Sequence, residues 1–353
     1  MIRFKDGTST DRERTLGDPA AWFKLRKSLR SRVKSLFPGA VRFRDHWMSW
    51  IGETRVVDRP YDPPRLAPVV IADLVTRRIA EHTPMALIRL GDGELTLLGL
   101  GSHTTPRAVK RILNIYFGPA HPTEEMLESF VEELRNAVRA ADVIGLPRVS
   151  RQRNDQLSSY FSPVFERYSL NTPGVLYSDS GLHHFFQFMR AFDDWLRGLP
   201  FLGLITCRDV REQVAATFNI PKVLWHAIPA DFHTSNEVPP IPHFPDIYER
   251  LRVELAPPFK GAVYLVGAGA FAKVYCHWIK SRGGIAIDIG SLFDGWAGIV
   301  SRDRIEENRS LFSLERYRSL TPRAERIAEY REITERTLAN KATAEERAFL
   351  TSH

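Results

Sequence analysis

Cysteine is scarce in this sequence of 353 residues, which contains only Cys207 and Cys276. Two cysteines without a CxxC spacing cannot build the disulfide framework of a secreted protein. Long hydrophobic runs are also missing, since no stretch approaches the ~20 consecutive apolar residues that a membrane-spanning helix needs. The polar N-terminus lacks the apolar core of a secretory signal. These absences predict a cytoplasmic protein that does not span a bilayer.

The excess of positive charge lies at one end of the chain. The formal net charge is +7, and residues 1–60 alone hold 14 Lys and Arg against 7 Asp and Glu. The remaining residues are electrically balanced, so the body lacks the basic surface that nucleic-acid binding needs. This pattern predicts a basic N-terminal extension over 1–60, a globular body over 61–301 and a charged helical tail over 302–353.

The basic extension contains a helical pattern over residues 22–36. Its apolar residues recur at intervals of three and four, and they are Trp22, Leu25, Leu29, Val33 and Leu36. The residues between them are rich in Lys and Arg and include no acid. Such a basic amphipathic helix suits an anionic membrane surface, here the inner face of the cell membrane. The alternative is a helix packed on the body with a solvated basic face.

Short apolar runs alternate with helix-length segments in the body of the chain. The predicted strands are Met85–Leu90, Val143–Leu146, Val175–Tyr177, Phe201–Ile205, Val223–Trp225, Val263–Val266 and Ile285–Ile289. Apolar periodicity predicts helices over Val70–Glu81 and after Thr123, which is a suitable N-cap. Strands that are apolar on both faces indicate an α/β fold with one doubly wound, mostly parallel, Rossmann-like sheet of about seven strands.

Two acids follow the first predicted strand, in the segment Arg89-Leu90-Gly91-Asp92-Gly93-Glu94. Ligands of open α/β sheets bind outside the carboxyl ends of the strands, so this position favours a site. An extended backbone through Gly93 would point the carboxylates of Asp92 and Glu94 in the same direction, about 6–7 Å apart. Such a pair can share a divalent cation, or combine a ligand with a general base. The alternative is an ordinary Gly-Asp-Gly turn with exposed acids.

A glycine-rich turn follows the sixth predicted strand. Gly267, Gly269 and Ala272 match the G-x-G-x-x-A pattern, and Asp288 ends the next strand, where a ribose-binding acid would lie. A diphosphate can rest on the N–H groups at a helix N-terminus, and glycine permits its close approach. The turn therefore predicts a phosphate site, with close packing of a helix on a strand as the alternative.

Two further strand ends carry charged residues. Arg208 follows the fourth predicted strand, where it can reach a phosphate or form a surface ion pair. Asp294 follows the last strand, in a loop whose Phe293 and Trp296 suit either stacking on a base or packing in the core. Both charged residues are predicted ligand contacts.

Three segments in this order resemble the GT-D type of glycosyltransferase domain: Arg89–Glu94, Leu265–Gly269 and Gly283–Trp296. That family carries a Gly-Asp-x-Glu element after its first strand, and a glycine turn and an Asp-Ile-Gly segment near its end. The resemblance covers about residues 70–300. It implies a GT-D type fold and transfer of a sugar from a nucleotide-diphosphate donor, a UDP-sugar foremost, to a glycan or lipid-linked acceptor.

The resemblance also implies roles for individual residues. Asp92 would contact the diphosphate and hold a divalent cation, Mn²⁺ or Mg²⁺, which neutralises the leaving group. Glu94 would be the general base or a second metal ligand. The residues expected near the nucleotide are Arg89, Gly91, Gly267, Gly269 and Asp288, with Arg208 and Asp294 as weaker assignments.

Two other functions remain open at the level of sequence. The glycine turn with Asp288 is by itself the fingerprint of an NAD(P)-dependent oxidoreductase. However, such a turn usually opens its domain, and this function leaves Asp92 and Glu94 without a role. The other alternative is a non-catalytic nucleotide-binding adaptor whose basic helix contacts a membrane. None of these functions predicts binding to nucleic acid.

Overall fold

The computed structural model describes residues 63, 65–102, 104–118, 121–147, 163–231, 241–299 and 312–319. The basic pattern over residues 22–36 and most of the charged tail lie outside these ranges. What the sequence predicts for these two segments, and the three-part division of the chain, therefore stay predictions. None of the described helices is long and apolar enough to cross a membrane.

Seven parallel strands form one sheet. The strands are β1 Met85–Arg89, β2 Val143–Leu146, β3 Leu176–Asp179, β4 Leu202–Thr206, β5 Val223–Ala227, β6 Val263–Gly267 and β7 Ile285–Asp288. Their order across the sheet is β3-β2-β1-β7-β6-β4-β5. Each strand agrees with a predicted run to within two residues at either end. The inner strands β1, β2, β4, β6 and β7 are buried along nearly their whole length and therefore require an apolar run. The predicted doubly wound α/β fold is therefore confirmed.

The described helices connect these strands and cover both faces of the sheet. They are α1 Pro68–Ala80, α2 Asp92–Leu98, α3 Pro106–Tyr116, α4 Glu124–Ala140, α5 Leu182–Phe188, α6 Ala191–Leu196, α7 Arg211–Phe218, α8 Tyr248–Glu254, α9 Phe271–Ser281, α10 Leu292–Trp296 and α11 Leu314–Ser319. As predicted, Thr123 is the N-cap of α4, and its hydroxyl accepts the Met126 N–H at 3.3 Å.

Right-handed crossovers decide which face each helix covers. The connections from β1 to β2 and from β6 to β7 run in the same direction, so α4 and α9 pack together on one face, where α8 joins α9. The connection from β3 to β4 runs the other way, which places α5 and α6 against α1 on the opposite face. Trp195 of α6 fixes this contact by donating its indole N–H to Thr76 at 3.1 Å.

The chain changes direction between β4 and β6. β4 leads through α7 to β5 on one side, whereas β6 leads through α9 to β7 on the other. The ends of the two strands are level, because Thr206 is paired with Gly267. A crevice at such a reversal point is where open α/β sheets bind ligands. The glycine turn after β6 and Arg208 after β4 therefore lie at the expected place for a site.

Candidate functional site

The two acids after β1 point in different directions because helix α2 begins at Asp92 itself. The Glu94 carboxylate folds back on the helix start and accepts the Gly91 N–H at 2.9 Å. Residues two apart in a helix do not share a face. The Asp92 side chain is accordingly 62% exposed, whereas that of Glu94 is 8% exposed. The expectation of an extended backbone through Gly93, with two parallel carboxylates, is wrong.

Asp92 meets solvent at the first position of α2. The polar partner that its carboxylate contacts is the Arg111 guanidinium on α3, with Nη2 at 3.2 Å from Oδ2. Both side chains are mostly exposed, and an ion pair of this kind contributes at most about 1 kcal/mol. A ligand can therefore replace Arg111 at Asp92 with little loss of stability.

Glu94 belongs instead to a buried network that links α2 with α9 and β7. Lys273 of α9 donates from Nζ to Glu94 Oε1 at 2.8 Å and lies 3.1 Å from Asp288 Oδ2. The same ammonium donates to the Gly269 carbonyl at 2.9 Å, which ties the network to the glycine turn. Tyr116 of α3 adds a hydroxyl at 3.4 Å from Glu94 Oε1. Lys273 thus connects the two sequence motifs physically.

Arg89 completes the network from the end of β1. Its guanidinium donates from Nη2 to Asp288 Oδ1 at 3.2 Å and from Nε to the Asp288 carbonyl at 3.0 Å. Its Nη1 donates to the Ser180 carbonyl at 3.1 Å and contacts the His183 ring. One cation therefore joins the carboxyl ends of β1 and β7 to the loop after β3. We name the set Arg89, Glu94, Lys273 and Asp288 the buried charge network.

The buried charge network favours the ionised forms of Glu94, Lys273 and Asp288. Burial would raise the pKa of Glu94, but Lys273 outweighs it and holds that pKa below its ordinary value. Burial likewise opposes ionisation of Asp288, and Arg89 and Lys273 lower its pKa. Burial would lower the pKa of Lys273, whereas Asp288 and Glu94 raise it above its ordinary value. The two carboxylates therefore face two cationic side chains at close range.

This arrangement gives Asp288 neighbours that the dinucleotide pattern did not suggest. Its side chain is 1% exposed, and its two oxygens face Arg89 and Lys273 rather than a crevice. Sequence reasoning missed Lys273 altogether. The available signal was the position of Lys273, four residues after Gly269 and between the apolar runs Ala270–Ala272 and Val274–Cys276. A lysine on the buried face of a helix needs an acidic partner.

The glycine turn is closely packed as well as correctly placed. A Cβ at Gly267 would lie 2.6 Å from the Phe293 ring and 2.7 Å from the Gly290 carbonyl. Gly269 has a φ of +54°, and a Cβ there would lie 2.7 Å from the Tyr116 ring. Both glycines are therefore required by packing, which was the alternative explanation of the motif. Their contact with a phosphate stays a prediction.

Gly269→Ala is expected to destabilise the fold more than Gly283→Ala does. Both glycines have a positive φ, +54° and +91°, so alanine costs about 1–2 kcal/mol at either position. Only at Gly269 would the methyl group also displace the Tyr116 ring, which adds about 1–3 kcal/mol. Urea unfolding of the two variants measures the difference. Equal losses would show that Tyr116 moves without cost.

Arg208 after β4 and Asp294 in α10 form an ion pair. Arg208 donates from Nε to Asp294 Oδ1 at 2.7 Å, and the guanidinium is partly exposed. The rings of Phe293 and Trp296 are buried in α10. They therefore pack in the core, and the option that they stack on a base is wrong.

A divalent cation fits one of the two acids and not the other. Glu94 Oε1 already faces the Lys273 ammonium, and Oε2 accepts a main-chain N–H, so neither oxygen is arranged for a metal ion. Nor do the described ranges bring together three or more His, Cys, Asp or Glu side chains suited to a metal ion. Asp92 fits as a single protein ligand of an ion that phosphates and water complete, a common Mg²⁺ arrangement.

Comparison with solved structures finds three that align with much of this chain. A selenomethionine-substituted domain of unknown function 1792 is 16% identical, with a TM-score of 0.39, over 65% of this chain and 85% of its own. A second structure of that domain, described as having a distinct glycosyltransferase fold, is 17% identical, with a TM-score of 0.39, over 69% and 81%. A glycosyltransferase (DUF1792) from Streptococcus sanguinis is 15% identical, with a TM-score of 0.40, over 65% and 83%. No curated protein matches.

A comparison with family models identifies the family of this chain. The model of the GT-D fold-like domain matches residues 66–296, which contain the whole seven-stranded sheet and both motifs of the site. A match over well over half of the chain establishes membership. The sheet topology, the glycine turn and the Gly-Asp-x-Glu segment thus belong to one domain, and this chain is a member of the GT-D-like family.

Proposed function

We propose that this protein is a glycosyltransferase that moves a sugar from a nucleotide-diphosphate donor, a UDP-sugar foremost, to a hydroxyl acceptor with the help of a divalent cation. Membership of the GT-D-like family supports the glycosyltransferase activity. The single observation that carries the rest is the contrast between Asp92 and Glu94. The first is exposed at the carboxyl end of β1, and the second is held in the buried charge network.

The reaction forms a bond between the acceptor oxygen and the anomeric carbon, and it breaks the bond from that carbon to the diphosphate. The nucleoside diphosphate leaves, and the proton of the acceptor hydroxyl is released to water. In our proposal Asp92 contacts the donor and would hold Mn²⁺ or Mg²⁺ against its diphosphate. A cation in that position neutralises the negative charge that develops on the leaving group. Glu94 was predicted as a base or metal ligand, but its lowered pKa makes it a weak base. We therefore propose a positioning role for it.

The buried charge network would act by holding Asp92 in place. Glu94 caps the first turn of α2, and Lys273 fixes Glu94 to α9 and β7. A side chain on a short helix is positioned accurately only when that helix start is itself held. Gly91 contributes the capped N–H, and Arg89 fixes the strand end before it. These residues thus serve the donor site without touching the donor.

The glycine turn after β6 and Arg208 after β4 supply a second set of donor contacts in this proposal. Gly267 and Gly269 bring the backbone close to where a diphosphate would lie. Arg208 is partly exposed and can exchange Asp294 for a phosphate, since guanidinium binds both groups with the same geometry.

The oxidoreductase alternative receives no specific support. It requires the Asp288 carboxylate for a ribose, and that carboxylate is buried against Arg89 and Lys273. For location, we propose the cytoplasm with contact to the inner membrane face through residues 22–36. A glycan or lipid-linked acceptor would be met there.

Thermal unfolding with a panel of nucleotides tests the donor proposal. A ligand at a hundred times its Kd stabilises the native state by about 2.7 kcal/mol. We expect UDP and a UDP-sugar to raise Tm with Mn²⁺ and to raise it much less without the ion. GDP, which differs from UDP in its nucleobase, is the matched control. NADH tests the oxidoreductase alternative. Stabilisation by NADH alone, independent of metal, would contradict the proposal.

A further inference from the structure

A pocket of about 430 Å³ opens beside helix α3. Its walls are mainly apolar and include Leu100 in the loop before α3 and Pro106, Val109 and Leu113 on the helix. The polar side chains on its wall include Lys110 and His121. Pockets of this volume commonly hold a small organic ligand. Its lining favours an apolar group with a charged end.

Helix α3 presents a cationic face next to this pocket. Arg107, Lys110 and Arg111 lie within about 100° of one another around the helix axis, and all three are exposed. The helix sequence contains no acid. In the part of the chain that the structure describes, Arg107 and Lys110 form no ion pair. Lys110 stands at the boundary of the two faces, because it also lines the pocket.

The same helix connects the pocket with the candidate site. Arg111 contacts Asp92 at 3.2 Å, and Tyr116 contacts Glu94 at 3.4 Å. A molecule whose apolar part enters the pocket and whose anionic group meets Lys110 would therefore lie against the helix that also carries the contact to Asp92.

We propose that the α3 pocket binds the apolar chain of a lipid-phosphate acceptor and that Arg107 and Lys110 bind its phosphate. That the bound molecule is the acceptor rests on the proposed function. Its binding to the pocket does not require catalysis. Charge complementarity supports this occupant, since an exposed cationic face without acids attracts an anionic head group. The apolar lining explains why a chain should accompany that head group, because burial of methylene groups adds affinity.

Binding of decyl phosphate below its micelle concentration tests the proposal in the full chain by isothermal titration. Decanol carries the chain without the charge, and methyl phosphate carries the charge without the chain. We expect decyl phosphate to bind at least about tenfold more tightly than either compound. Val109→Trp, which fills the pocket, is expected to weaken decyl phosphate about tenfold or more. Lys110→Glu should weaken decyl phosphate similarly and leave decanol unchanged.

Matched controls separate these effects from changes in folding. Val253→Trp places the same side chain on an exposed helix position, and Lys222→Glu reverses an exposed charge elsewhere. Both should bind decyl phosphate normally, and all variants should keep the wild-type Tm. Equal binding by Val109→Trp and wild type would overturn the proposal, as would equal binding of methyl and decyl phosphate.

The experiment also distinguishes this proposal from the proposed function. A chain that binds UDP with Mn²⁺ but not decyl phosphate would keep the donor site and overturn the acceptor pocket. A chain that binds decyl phosphate through Val109 and Lys110 but binds no nucleotide would support the pocket and count against the glycosyltransferase.

Discussion

Lys273→Met is expected to lower the free energy of unfolding by about 3–5 kcal/mol, the cost of leaving a buried charge without its partner. Lys273 lies between Glu94 and Asp288 at 2.8 and 3.1 Å, and all three side chains are buried. Methionine fills a similar volume, so a loss of this size reports the missing charge rather than a cavity. Urea unfolding monitored by tryptophan fluorescence measures it.

Lys280→Met is the matched control on the same helix. Lys280 also forms an ion pair, with Asp142 at 2.7 Å, but both side chains are about a quarter exposed. A solvated pair of this kind is worth at most about 1 kcal/mol. We therefore expect a clearly smaller loss than at Lys273. Equal losses in the two variants would show that the buried charge network contributes no more to stability than a partly exposed ion pair does.

The pH dependence gives the Lys273→Met variant a specific signature. Without the ammonium, burial raises the pKa of whichever carboxylate is left unpaired, so the native variant binds a proton that the unfolded chain does not. Stability then falls as pH rises through that range. In the wild type the same carboxylates have lowered pKa values. The stability gap between the two proteins should narrow as pH falls from 8 toward 5.

The strands could be predicted from sequence because the apolar residues that form each strand are consecutive in the chain. Runs such as Val263–Gly267 and Leu202–Thr206 are buried along nearly their whole length, so their apolar character is visible without knowing their neighbours. The order of the strands was not predicted. It depends on pairings such as Met85 with Ile285, which are distant in the chain.

The sequence placed the segment around Asp92 at a strand end, but it did not predict the local geometry of the segment. The segment around Asp92 does lie at a strand end, yet helix α2 begins one residue after Gly91 and separates the two acids. A Gly-Asp-Gly sequence is compatible with a turn, a strand or a helix start, so local preference could not decide. The deciding interaction is the pairing of Glu94 with Lys273, which lies 179 residues later in the chain.

The variants Glu94→Gln and Asp92→Asn should therefore differ in their effect on the stability of the fold. Glu94→Gln removes one partner of a buried ion pair and should destabilise the fold in the same range as Lys273→Met. Asp92→Asn leaves an exposed position without its charge, and its Arg111 contact is worth little. We expect Asp92→Asn to change the free energy of unfolding by no more than the effect of one helix-end charge, about 0.3–1 kcal/mol.

Asp92→Asn is expected to reduce sugar transfer by about a hundredfold or more, because it removes the charged ligand of a cation whose charge stabilisation is worth several kcal/mol. As the ligand of a cation, it should lose donor affinity and turnover together, and high Mn²⁺ should partly restore both. Isothermal titration of UDP with Mn²⁺, alongside transfer rates at saturating donor, separates this result from a loss of turnover alone. Glu125→Gln removes a comparable exposed acid from the first turn of α4 and should transfer sugar normally. Near-normal transfer by Asp92→Asn would overturn its role, because that carboxylate is the one acid of the motif left accessible by the folded chain.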